Sequence, residues 1–167
     1  LEHSREFAQE ALPLYEACGD AGGRAKALFQ VGDAWYMQGE YALATRYLEE
    51  TLKLQRDLGE QRGSALTLRR LGAIATLQGD FDRAEVSLTE AVTFFRQSGE
   101  SWGLSSILVD LGVLAAMQGK LLQALVPLQE AMLLAQQMRQ QYSLAITLTA
   151  LGCALGVASS AKYSALI

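Results

Sequence analysis

Residues that could carry out catalysis are few in this 167-residue sequence. The one histidine, His3, has no positional relation to either cysteine, Cys18 or Cys153. A nucleophile needs a neighbouring base and a group that orients it. The cysteines form no CxxC pair and have no histidine companion, so no metal site is indicated. We therefore predict no enzyme activity, no cofactor and no metal, and we interpret both cysteines as small, buried or partly buried thiols.

Two adjacent arginines, Arg69 and Arg70, are the conspicuous charges in the middle of the chain. A pair of forked guanidinium groups suits a carboxylate or a phosphate of a ligand. The alternative is structural, with either arginine forming an ion pair with Asp33 or Asp110. The sequence leaves both alternatives open.

The composition narrows the other classes of function. Half of the residues are apolar, and 14 basic against 18 acidic residues give a net charge of −4. An acidic balance disfavours a general nucleic-acid binder, and the apolar content argues against a disordered tail. Fully apolar stretches are only a few residues long, so no segment is predicted to span a membrane. These features predict a soluble, cytoplasmic chain that binds neither nucleic acid nor membrane directly.

Small residues recur at forty-residue steps along the chain. The columns are Gly32, Gly72, Gly112 and Gly152; Gly39, Gly79 and Gly119; Ala44, Ala84 and Ala124; Gly19, Gly59 and Gly99; and Gly23, Gly63 and Gly103. Apolar residues between them recur at helical spacing, so each forty-residue unit predicts two helices. The column that starts at Gly39 fits a residue just past a helix end, where a positive φ favours glycine. The column that starts at Gly32 lies inside a helix and indicates a close crossing by another helix.

The repeated residues resemble a known family. The first full unit has Leu28-x2-Val31-Gly32-x2-Trp35 and then Ala44-x3-Leu48, and the same pattern starts again at Leu68 and Leu108. This pattern resembles the tetratricopeptide repeat, although the period is forty instead of about thirty-four and the closing proline is missing. We place the extra residues in a longer second helix and its following turn. Repeats of this length are similar to those of kinesin light chains and of ATP-dependent bacterial transcription regulators.

The resemblance implies an all-α, right-handed superhelical solenoid of antiparallel helix pairs, with the first helices lining the concave surface. We expect a single array over 1–167: the second helix of a truncated repeat at 4–23, repeats at 24–63, 64–103 and 104–143, a further first helix at 144–157 and a tail at 158–167. The half-repeats predict a piece of a longer array that self-associates through uncapped ends.

The concave positions form the candidate binding site for a peptide or other ligand. They are Lys26, Phe29, Gln30, Asp33, Tyr36, Arg69, Arg70, Ala73, Asp110 and Val113. Phe29 and Tyr36 could instead serve packing, and we interpret Met37 and Met117 as core residues. Charged residues of the second helices, such as Glu49 and Arg83, are expected on a solvated convex face.

The predicted function is a protein–protein interaction module or scaffold that binds a peptide or helix in its groove. The alternative is an effector-sensing or regulatory segment of a multidomain bacterial transcription or signalling regulator, with a small molecule in the groove. The sequence does not identify the partner or ligand.

Overall fold

The computed structural model describes residues 2–139, 141, 143, 145–152 and 156, with side chains from residue 10 onward. Within these residues the chain is all-α, and no strand occurs in them. The helices are α1 (Glu2–Ala17), α2 (Ala21–Met37), α3 (Tyr41–Asp57), α4 (Gln61–Gln78), α5 (Phe81–Ser98), α6 (Ser101–Met117) and α7 (Leu121–Gln137). Residues 145–152 are also helical. The predicted tail at 158–167 lies outside the described residues.

Glycines with positive φ end the helices at steps of twenty residues. Gly39, Gly79 and Gly119 have φ of 81°, 78° and 75°, which confirms their predicted place after the first helix of each pair. Gly19, Gly59 and Gly99 have φ of 68°, 71° and 70° and follow α1, α3 and α5. Both kinds of helix therefore end in the same way, because glycine adopts the left-handed conformation without a Cβ clash.

The position after α7 breaks this pattern, since Arg139 stands there with φ of 52°. A left-handed conformation costs a residue with a Cβ about 1–2 kcal/mol, whereas glycine loses about 0.5–1 kcal/mol of extra chain entropy on folding. We expect Arg139→Gly to raise the free energy of unfolding by about 0.5–1 kcal/mol, measured by urea denaturation. Arg46→Gly is the matched control, because the same change inside α3 should lower stability by about 1 kcal/mol. A destabilised Arg139→Gly chain would contradict this assignment of strain.

A glycine column brings the two helices of each pair together. A Cβ built at Gly32, Gly72 or Gly112 would lie 2.8, 2.7 or 2.4 Å from the Cγ of Leu48, Leu88 or Leu128, respectively. These three leucines are fully buried. The predicted close crossing is thus confirmed at three positions, with leucine as the contacting residue and with Ala44, Ala84 and Ala124 also buried beside it.

A second glycine column brings successive pairs together. A Cβ at Gly23, Gly63 or Gly103 would overlap the side chain of Tyr15, Gln55 or Phe95 in the preceding helix, at 2.4, 2.7 and 2.1 Å. The sequence alone assigns no role to this column of Gly23, Gly63 and Gly103. In the structure these glycines allow α2 to approach α1, α4 to approach α3 and α6 to approach α5. Forty residues after Phe95 and Gly103 stand Ala135 and Ser143. Where the glycine is replaced by the larger serine, the large residue opposite it is thus replaced by the smaller alanine.

The two helices of a pair have equal lengths. They have 17 residues each in α2 and α3, 18 each in α4 and α5, and 17 each in α6 and α7. The expectation of a longer second helix is therefore wrong, because the forty-residue unit divides into two halves of twenty. First helices α2, α4 and α6 begin at residues 21, 61 and 101, three residues before the expected repeat starts.

The first and second helices pack differently along the stack. The backbone of α4 lies close to those of α2 and α6, whereas among the described helices the backbones of α3 and α5, and of α5 and α7, lie farther apart. Ion pairs between long side chains span the outer gaps: Glu49–Arg83 at 2.5 Å, Arg56–Glu90 at 2.7 Å and Arg96–Glu130 at 2.8 Å. Close inner helices and separated outer helices curve the stack, with α2, α4 and α6 on its concave side.

Candidate ligand-binding groove

The larger recess on the concave side lies where α2, α4, α6 and residues 145–152 meet. Its volume is about 460 Å³. It is lined by four of the predicted site residues, Tyr36, Ala73, Asp110 and Val113, and also by Thr76, Leu77, Val109, Ala145, Ile146, Thr149 and Ala150. We call this the C-terminal recess. Helix α2 contributes Tyr36, and the other helices contribute residues within about two turns of one another. Residues far apart in sequence converge here because α4 lies between α2 and α6.

Three other predicted residues line a separate recess near α2 and the start of α4. Lys26, Phe29 and Gln30 surround a volume of about 330 Å³ together with Gln55, Glu60, Arg62, Gly63 and Leu66. We call this the N-terminal recess. Sequence reasoning missed Gln55 because it lies in a second helix, and only first helices were expected to line the groove.

Arg69, Arg70 and Asp33 lie in ion pairs on the concave side. The Nε of Arg69 donates to Oδ2 of Asp110 at 2.6 Å, and the Nε of Arg70 lies 2.5 Å from Oδ1 of Asp33. These side chains are about one fifth to one quarter exposed. The structural alternative for both arginines is therefore observed: one pair ties α4 to α6 and the other ties α4 to α2.

Tyr36 joins this arrangement through its ring. The guanidinium carbon of Arg70 lies 5.2 Å from the centre of the Tyr36 ring, within the range of a cation–π contact. Burial raises the pKa of the Tyr36 phenol above 10.0, with Arg70 opposing that shift. The phenol is therefore uncharged at neutral pH and offers the recess an aromatic face and a hydroxyl.

Asp110 both lines the C-terminal recess and forms the ion pair with Arg69. Burial raises the pKa of its carboxyl above 3.8, and the charge and hydrogen bond of Arg69 oppose this shift. The two effects are those expected for a carboxylate removed from water beside a cation. Arg69 thus stabilises the charged form of the Asp110 carboxyl against the effect of burial.

The rest of the C-terminal recess is apolar in character. The hydroxyls of Thr76 and Thr149 donate to the carbonyls of Gly72 and Ala145 in their own helices, at 2.8 and 2.9 Å. Leu77 is 47% exposed. A ligand therefore meets mainly methyl and methylene groups, with Tyr36 and Asp110 as polar contacts.

Two interpretations of individual residues from the sequence are wrong. Met37 and Met117, interpreted as core residues, are 58% and 47% exposed at the ends of α2 and α6. Cys18, interpreted as buried or partly buried, is exposed because it lies in the turn after α1. Cys153 lies outside the described residues.

The N-terminal recess carries a second kind of ion pair at its rim. Arg62 donates from Nε and Nη2 to the two carboxylate oxygens of Glu100, at 2.8 Å each. This forked hydrogen bond lowers the pKa of Glu100. The pair joins the starts of α4 and α6 and leaves Lys26 as the cation of the recess.

Neither a metal cluster nor a membrane span occurs in the described part of the chain. No three histidine, cysteine or acidic side chains there are grouped so that they could hold a metal ion. No described helix is both long enough and apolar enough to cross a lipid bilayer.

Comparison with the solved structure of BtubC shows the same fold. The crystal structure of BtubC (BKLC) from P. vanneervenii matches with a TM-score of 0.80 and 21% sequence identity, over 92% of this chain and 65% of BtubC. This chain thus spans less than two thirds of that protein. The de novo designed helical repeat protein DHR81 aligns with a TM-score of 0.42 and 16% identity, over 93% of this chain and 89% of the design.

No curated protein matches the sequence. Residues 24–97 match the family model described as tetratricopeptide repeat. The matched segment contains α3 and α4 and most of α2 and α5, and the same glycine columns continue through α6. Residues 24–97 thus match the tetratricopeptide-repeat family, and the repeated residues and helix pairs give the described part of the chain the fold of such repeats.

Proposed function

We propose that this chain is a protein-interaction module that binds a peptide or helix of a partner protein in its concave groove. Tetratricopeptide repeats generally mediate protein–protein interaction or scaffolding. The observation that carries the proposal is the C-terminal recess, an open apolar cavity of about 460 Å³ on the inner surface of the stack. Apolar concavities with a few polar groups are the usual form of binding sites.

The charges of the groove favour a partner that anchors through apolar side chains. Arg69 and Arg70 are engaged by Asp110 and Asp33, so a ligand carboxylate would have to displace an existing ion pair. Exposed Leu77 and partly exposed Val113 offer apolar contact without such displacement. We therefore expect a partner segment that inserts a leucine-sized or aromatic side chain beside Tyr36.

A charge placed in the recess tests this proposal. Peptides selected from a displayed random library on the intact chain serve as the probe, with affinity measured by fluorescence anisotropy. We expect Leu77→Glu to weaken their binding at least about tenfold, because a carboxylate would have to be desolvated against the bound apolar side chain. Since Leu77 is 47% exposed, helicity and melting temperature should change little.

Leu14→Glu is the matched control, because Leu14 is 67% exposed on α1 and lines neither recess. Its affinity for the selected peptides should equal that of the unmodified chain. If Leu77→Glu bound the peptides as tightly as the control, binding would lie outside the C-terminal recess and the proposal would be wrong.

The second candidate is an effector-sensing or regulatory role in a multidomain bacterial regulator, with a small molecule in the same recess. The volume favours it, since about 460 Å³ falls within the roughly 300–1,000 Å³ of small-molecule pockets. A small-molecule screen by thermal shift distinguishes the two. A compound that raises the melting temperature of the chain but not that of Ala73→Trp, which fills the recess, supports the sensor.

A further inference from the structure

The outward face of α7 carries an apolar stripe that the groove does not use. Leu122, Val126 and Leu133 are 82%, 66% and 56% exposed. At 100° per residue these three lie within about 40° of one another on the helix. The opposite side of α7 is buried in the stack through Ala124, Leu128, Ala131 and Ala135. The stripe thus points directly away from the core.

The corresponding faces of the other second helices are polar or mixed. On α3 the equivalent positions include Arg46, Glu49 and Lys53. On α5 they are Asp82, Val86, Thr89 and Thr93. Because Arg46 and Lys53 of α3 stand at the positions of Val126 and Leu133 of α7, the stripe is not a requirement of the repeat fold.

The spacing of the stripe is that of a helix–helix seam. Leu122, Val126, Gln129 and Leu133 follow one another at steps of four, three and four residues, as in a coiled coil. The order Leu-Val-Gln-Leu has leucine at both ends when read in either direction. An antiparallel copy of α7 would therefore set Leu122 against Leu133 and Val126 against Gln129 on both sides of a two-fold axis.

The electrostatics of α7 also suit a contact between identical chains. Each copy has a net charge of −4, so two copies repel each other. This repulsion is smallest when the surfaces in contact carry no charged side chains. Glu130 is the one charged residue of α7, and Arg96 holds it at 2.8 Å. The stripe itself contains no ionisable side chain.

We propose that the outward face of α7 binds the same face of a second copy of this chain, antiparallel and across a two-fold axis. A contact of one helix with its copy is small compared with standard interfaces of about 1,200–2,000 Å². The dimer is therefore weak, with a dissociation constant on the order of 10⁻⁵ to 10⁻⁴ M. The concave groove stays open in this dimer because the contact lies on the opposite side of the stack.

Sedimentation equilibrium over a concentration series up to about 0.5 mM tests the dimer. We expect the chain to dimerise and Val126→Glu to raise the dissociation constant at least about tenfold, since two carboxylates would flank the two-fold axis. Val86→Glu is the control: Val86 is 69% exposed at the same position of α5, and its dimerisation should be unchanged. A monomer at every concentration overturns the proposal, and so does a dimer that Val126→Glu leaves intact.

The antiparallel orientation has its own test. Leu122→Glu and Leu133→Lys should each weaken self-association, because each sets a charge against leucine. A mixture of the two variants should dimerise more tightly than either alone, since the new carboxylate of one copy then meets the new ammonium group of the other, while the unchanged Leu133 meets the unchanged Leu122. A mixture no tighter than the separate variants rules out the antiparallel pairing, and circular dichroism of each variant confirms that the helices are intact.

Discussion

Replacing Phe95 with alanine should lower the free energy of unfolding by about 3–5 kcal/mol, because the side chain is fully buried and its removal leaves a cavity. The ring packs edge-on against Phe94 at a centroid distance of 5.1 Å. It also fills the space that a Cβ at Gly103 would need, at 2.1 Å from Cε1. The large residue on α5 and the glycine on α6 therefore form one packing unit, and urea denaturation of the variants measures its strength.

The sign of Gly103→Ala should reverse with the residue at position 95. In the unmodified chain the added methyl overlaps a buried ring, and we expect a loss of about 1–3 kcal/mol. In the Phe95→Ala background the overlap is gone, and the same change should stabilise the chain by up to about 1 kcal/mol through helix propensity. A double-mutant cycle from the four denaturation curves gives the coupling energy.

Gly22→Ala is the control for this cycle. A Cβ there meets only ordinary van der Waals contacts, the closest at 3.6 Å from an oxygen of Asp20. The substitution should be neutral or slightly stabilising. Additive effects of Phe95→Ala and Gly103→Ala would contradict the packing unit.

Arg69→Met should lower the free energy of unfolding by about 1–3 kcal/mol at neutral pH. Methionine retains much of the apolar stem but not the hydrogen bond to Asp110, which spans 2.6 Å in the unmodified chain. The partner carboxylate, only about one fifth exposed, is then left with an uncompensated charge. Denaturation by urea as a function of pH measures this loss.

The loss should depend on pH in a defined direction. The native pKa of Asp110 is raised above 3.8 by burial, so the native state binds this proton more tightly than the unfolded chain does. The contribution of this group to stability therefore falls as pH rises from 3.8 to the raised pKa and is constant above it. Removal of Arg69 raises that pKa further, so the deficit of the variant should shrink as pH is lowered from about 7 toward about 4.

Asp110→Asn in the Arg69→Met background is the control, because it removes the carboxyl that titrates. The loss of stability that Arg69→Met causes in this background, measured against Asp110→Asn alone, should not change with pH in the same interval. A deficit of Arg69→Met that is equally constant would show that the lost interaction is packing and not charge.

The ends and crossings of the helices could be predicted from sequence because glycine reports them directly. Gly39 and Gly32 belong to different columns, and each has the conformation or the contact that its column predicts. The equal lengths of paired helices could have been found from Gly19 and Gly59, which repeat halfway between the other turns. The role of Gly103 needed the structure, since its partner Phe95 becomes visible only when the two helices are packed.

The candidate site was predictable only to the level of the concave face. Sequence spacing places Lys26 and Ala73 on that face, but it does not show that they line different recesses. From the sequence, Asp33 and Asp110 were the candidate ion-pair partners of Arg69 and Arg70. Which aspartate pairs with which arginine could be seen only from the distances between the inner helices. The outer ion pairs were not predicted, because Arg56 and Glu90 are 34 residues apart and so do not fall on one column of a forty-residue repeat.

Because the outer helices are separated, the two sides of the stack should resist bending to different degrees. On the concave side α4 packs directly against α2 and α6, so closing the curve further compresses buried side chains. On the convex side Arg56–Glu90 and Arg96–Glu130 span gaps as exposed ion pairs, which added salt screens. We therefore expect the convex side to yield more easily than the concave side when the stack bends, and the radius of curvature to change with the ionic strength of the solution.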